Sequence, residues 1–146
     1  MSNPAQDYID NMARERGYVL AYHQILANAD YDVLVAGNNL FNSVYLKQRL
    51  LDRKTKELLF IVSLTVMRAD KKHIQSHIKV ALELGLSPAE ILEAIEITFP
   101  EAGVVTFQAG LEAWQDAVGA QPLEPTPSLT IAPAPRSPDG AKPRRD

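Results

Sequence analysis

Residues 51–85 read LDRKTKELLFIVSLTVMRADKKHIQSHIKVALELG. Leu58 to Met67 is apolar on every side of a helix, interrupted only by Ser63 and Thr65. Such a helix has to be covered on all sides, which predicts a central position in the fold. It is too short to span a bilayer, which takes about 20 apolar residues. Asp52 is placed to cap it, and Glu57 stands where the apolar run begins. Arg68-Ala69-Asp70 reads as a turn, Asp70 as the next cap, and Gly85 as the C-terminal stop of a second helix. On a helical wheel of that second helix, Lys72, Gln75, Ser76, Lys79 and Glu83 share the solvent face. His73 and His77 fall inside the apolar arc, one turn apart on one stripe. An imidazole that faces a core must be hydrogen-bonded or otherwise employed.

Outward from this hairpin the 3.6-residue period continues, and no alternating run long enough for a strand is found. Asn3 and Pro4 open a first helix that Gly17 ends or bends, followed by helical segments over 18–28 and from Asp30 to Val44. Ser87, Pro88 and Glu90 form a capping box, starting a helix that Pro100 breaks or kinks. A last helix runs from Glu101 to Val118, with Ala102, Gly103, Ala109 and Gly110 leaving room for close packing inside the fold or against a second copy. The fold class is therefore all-α. After Gly119 seven of the ten prolines crowd into residues 122–143. The domain is placed at 1–120 and a disordered Pro-rich tail at 121–146. Leu129 and Ile131 are the tail's apolar spot, able to dock on a protein partner as a short strand.

Composition narrows the function. The 146-residue chain is 46% hydrophobic, the share of an ordinary globular protein, with a net charge of −3. No basic stripe suits nucleic acid, and no apolar leader or spanning segment suits secretion or a membrane, so the cytoplasm is the expected location. The chain has no cysteine, which excludes disulfides, thiolate nucleophiles and Cys-ligated metals. The first turn of the central helix carries Arg53, Lys54 and Lys56 against the helix dipole, so these charges either stay solvated or meet an anion or a neighbouring subunit. His23 is read as structural.

The run Leu51-Asp52-Arg53-Lys54-Thr55-Lys56-Glu57-Leu58, His77 twenty positions on, and Ala81 to Ile91 with Gly85, Ser87, Glu90 and Ile91 resemble carboxymuconolactone decarboxylases and alkylhydroperoxidase D-like proteins. The resemblance spans roughly residues 30–117. It implies an antiparallel bundle of six to seven helices that assembles as a homotrimer or homohexamer. Peroxidase-type members carry Cys-x-x-Cys just ahead of the shared histidine, where this chain has Asp70 and His73. The resemblance therefore points to the decarboxylase-type branch, a cofactor-free lyase of aromatic catabolism acting on a small carboxylate.

Decarboxylation of an unsaturated lactone acid leaves enolate-like charge and requires a proton at carbon. His77 is the candidate donor. Glu57 orients it, or holds a proton itself with its pKa raised by an apolar site. His73, Arg53 or Arg68 would steady the substrate carboxylate. In a tight hairpin turning at Ala69, Glu57 lies level with Leu82, about 7.5 Å from His77 along the axis, so direct contact needs a longer turn, crossed packing, a bridging water or a pairing between subunits. Two other classes remain. His73, His77 and Glu57 could hold a metal, or the chain could be a non-catalytic oligomeric binding module.

Overall fold

The computed structural model describes residues 3–123. Among them are eight α-helices and no strand: α1 (Pro4–Arg16), α2 (Ala21–Ala29), α3 (Tyr31–Phe41), α4 (Arg53–Val66), α5 (Lys71–Glu83), α6 (Pro88–Glu96), α7 (Thr98–Ala102) and α8 (Val104–Val118). A π-helical turn, Asn42–Leu46, extends α3, with Lys47 N–H donating to the Asn42 carbonyl at 2.8 Å. Against the six to seven helices expected, α7 is an additional short one, and the last helix starts at Val104 and not at Glu101. The Pro-rich tail, with Leu129 and Ile131, lies outside the described residues.

The sequence signals act where they are written. Asn3, Asp30, Asp52 and Asp70 each accept a backbone N–H at the start of their helix. Ser87 and Glu90 cap α6 reciprocally. Gly17 and Gly85 end α1 and α5 at φ of 90° and 89°, which a residue with a Cβ rarely adopts. Pro100 does not break α6. It sits in the first turn of α7, where its missing N–H is not needed. The interruption comes instead at Gly103, with φ 86°, between α7 and α8.

Two apolar clusters hold the fold. The larger one joins Ile61 and Leu64 of α4, Ile74 and Ile78 of α5, and Ile91 and Ile95 of α6, with Ala113 of α8. Each such fully buried isoleucine contributes about 1.5–3 kcal/mol. Gly110 lets α8 approach closely: a Cβ there would lie 2.6 Å from Thr65 Oγ1 and 2.8 Å from Ile95 Cγ2. A smaller cluster, Ile9, Met12 and Leu34, ties α1 to α3.

The central helix α4 is not covered on every side within the described residues. Leu59 and Met67 are 54% and 66% exposed. Leu59, Phe60 and Ser63 form one wall of an apolar groove of about 620 Å³, with Val44, Leu50 and Leu51 opposite. An all-apolar helix needs a cover, and a single chain of this size supplies it on one face only.

Candidate functional site

Glu57 belongs to the core stripe of α4, in line with Ile61, Leu64 and Thr65. His77 occupies the matching stripe of α5 among Ile74, Ile78 and Ala81. Packing these stripes together buries an acid and an imidazole side by side, Glu57 at 0% and His77 at 1% exposure. α4 ends at Val66 and α5 restarts at Lys71. A turn of four residues, Met67 to Asp70, shortens the axial offset expected between Glu57 and His77. The side chains close the remainder, with His77 Nδ1 2.8 Å from Glu57 Oε2.

The other carboxyl oxygen is also engaged. Tyr45, presented by the π-helical turn, donates its hydroxyl to Glu57 Oε1. Arg53 Nε donates to the same oxygen at 3.2 Å, and Arg53 reaches the Tyr45 hydroxyl at 3.0 Å and the Arg16 carbonyl at 3.3 Å. On the far side of the imidazole, Nε2 lies 3.2 Å from the Tyr18 hydroxyl. Phe60 stacks flat on the His77 ring at 4.8 Å and 10°. The result is a linear array, Arg53 and Tyr45 to Glu57, then His77, then Tyr18, inside an aromatic sheath.

Burial dominates the electrostatics. It pushes the Glu57 carboxyl up to about 8, because a buried carboxylate loses its hydration. Burial, with Arg53 and Arg16 nearby, brings His77 down to about 4. Near neutral pH both groups are therefore uncharged. Oε1 receives two donors, so the Glu57 proton belongs on Oε2, facing His77 Nδ1. The single imidazole proton then sits on Nε2, facing Tyr18.

Of the residues singled out from sequence, Glu57, His77 and Arg53 meet here. His73 stands alongside, its ring 5.7 Å from that of His77, and half-buried. Arg68 does not join them: it is exposed, with φ 51°, at the opposite end of α4. Tyr18 and Tyr45 escaped the sequence reading, because one lies in an irregular link and the other in a π turn that no period marks. Among the described residues no group of three or more His, Asp or Glu side chains is arranged to hold a metal. No helix among them is long and apolar enough to cross a membrane.

These elements coincide with a family signature. The model of the carboxymuconolactone decarboxylase family matches residues 35–116, which is more than half of the chain and contains Tyr45, Arg53, Glu57 and His77. The chain belongs to the carboxymuconolactone decarboxylase family. A comparison with curated proteins finds no matching sequence.

Proposed function

We propose that this chain is a cofactor-free lyase of the decarboxylase type, which removes carbon dioxide from a small unsaturated lactone acid or related carboxylic acid by proton transfer. The observation that carries the reading is the buried pair of Glu57 and His77, 2.8 Å apart, in surroundings whose burial pushes the carboxyl pKa up. When the carbon–carboxylate bond of the substrate breaks, its electron pair delocalises towards the lactone carbonyl. The Tyr18 hydroxyl gives its proton to the carbon, Tyr18 takes the proton of His77 Nε2, and His77 Nδ1 takes that of Glu57 Oε2. The negative charge ends on Glu57, where Tyr45 and Arg53 already donate. Water then restores the proton.

This reading places the activity in residues 1–120 of a homo-oligomer in the cytoplasm. The exposed apolar face of α4 supports assembly. It is tested by turnover of a lactone acid that the parent protein converts. Glu57→Gln and His77→Gln should each lose about 10²- to 10⁴-fold in kcat, and full turnover by both would overturn it. A second reading, a non-catalytic oligomeric module, draws on the 1% exposure of His77. It gains if the parent turns over no lactone acid while light scattering shows a stable oligomer.

A further inference from the structure

A second buried polar cluster lies between α1, α2 and α3, and it meets the array around His77 only through Arg16, whose carbonyl accepts from Arg53 and whose guanidinium lies 5.8 Å from the Tyr18 ring. Arg16 is 2% exposed, yet none of the ion pairs among the described residues includes it. One of its terminal nitrogens donates to Asn38 Oδ1, and Asn38 is oriented by donating its own amide N–H to the Tyr8 hydroxyl at 2.8 Å. The Arg16 Nε–H has no partner at all. A buried guanidinium without a carboxylate is costly to keep.

The other side of the guanidinium sharpens the point. Arg16 Nη1 lies 3.3 Å from His23 Nε2. The Leu20 backbone N–H donates to His23 Nδ1 at 2.9 Å, so Nδ1 has to be the unprotonated nitrogen. A neutral imidazole then carries its proton on Nε2, and that N–H points at another N–H. Burial and the charge of Arg16 hold His23 down at about 4, so it is indeed neutral. Three donors, Arg16 Nε, Arg16 Nη1 and His23 Nε2, are left without an acceptor. Beside them is a cavity of about 90 Å³, lined by Arg16, His23 and Asn38 on its polar side and by Tyr22, Leu34 and Phe41 on its apolar side. It has room for about three waters, which fits the head of a carboxylic acid but not an aromatic ring.

We propose that Arg16, His23 and Asn38 form a binding site for the carboxylate of a small organic acid, seated in the cavity between α2 and α3. The carboxylate supplies the missing acceptors: one oxygen takes the Arg16 N–H groups, the other His23 Nε2–H, while the short carbon tail meets Leu34 and Phe41. Guanidinium and carboxylate match in shape and charge, and their hydrogen bonds are among the stronger ones. The proposal does not rest on the reading of Glu57 and His77, although Arg16 adjoins Arg53 and Tyr18 of that array.

Acetate is the probe. In the full-length protein labelled with ¹⁵N, the His23 ring nitrogens are followed while sodium acetate replaces sodium chloride at constant ionic strength. Saturable movement of Nε2 in the millimolar range is expected, with formate behaving alike. Arg16→Lys should weaken binding by about tenfold or more, because the planar fork is lost. Gly37→Leu provides a second variant. Gly37 lines the cavity on α3 and is exposed, and a Cβ there meets open space, so a leucine is accommodated at the cavity mouth, which it narrows, without displacing a neighbour. It should abolish the movement while the thermal transition is kept. No saturable movement in the parent overturns the proposal, as does equal movement with chloride alone or unchanged binding in Gly37→Leu.

Discussion

His77 and Glu57 stand twenty positions apart in the chain and 2.8 Å apart in space, and neither touches solvent. The two are thermodynamically one unit. Removing the imidazole strands a buried carboxyl, and removing the carboxyl strands a buried imidazole nitrogen. His77→Ala should therefore cost on the order of 3–5 kcal/mol. The double variant His77→Leu/Glu57→Leu should lose less than the two single changes summed. A urea-unfolding double-mutant cycle measures that coupling.

The stability of the fold should peak near pH 6.5. Folded Glu57 keeps its proton between its ordinary 4.5 and about 8, where the unfolded chain has lost it. Its contribution is complete below 4.5 and disappears as the pH rises through 8. His77 and His23 act in the opposite sense. Both fall from 6.5 to about 4, so stability grows with pH across that interval. Between pH 4.5 and 6.5 the two histidines outweigh the one acid, and above 6.5 Glu57 acts alone. The decline from pH 6.5 to 8 should be on the order of 1–2 kcal/mol. Thermal melts from pH 4 to 9 will show it, and Glu57→Gln should flatten the alkaline limb and steepen the rise between pH 4.5 and 6.5.

Tyr18 is the outer end of the array, and its role separates two routes for the proton. If the hydroxyl relays it, Tyr18→Phe lowers kcat by about 10- to 100-fold. If His77 reaches the substrate directly, kcat survives and only stability drops, by about 1–3 kcal/mol for the unpaired Nε2. Steady-state turnover beside a denaturant melt distinguishes them.

Packing makes its own prediction at Gly110. A methyl group there overlaps Thr65 and Ile95, both fixed in the core. Gly110→Ala should destabilise by about 1–3 kcal/mol although alanine is the better helix former. Ser87→Ala, which removes the α6 cap, should cost about 1 kcal/mol. Both are read from the shift in denaturation midpoint.

The residues with local signals were legible from sequence. Asp52, Asp70 and Ser87 mark helix starts by side-chain chemistry that acts within three residues, and Glu57 and His77 stand out as polar groups on apolar stripes. What was hidden depends on tertiary distance. The turn between α4 and α5 holds Arg68 at φ 51°, a left-handed conformation that arginine rarely adopts and that no sequence signal marks. Tyr45 reaches Glu57 only because a π turn re-aims it. The exposed side of α4 could not be foreseen either, since periodicity reports that a face is apolar and not which body covers it.

Phe60 has one face against the imidazole and also forms a wall of the groove beneath Leu50 and Leu51. One aromatic side chain thus touches both a proton carrier and a space large enough for a sizeable guest. A change at residue 60 therefore alters the packing of the imidazole and the wall of the groove together.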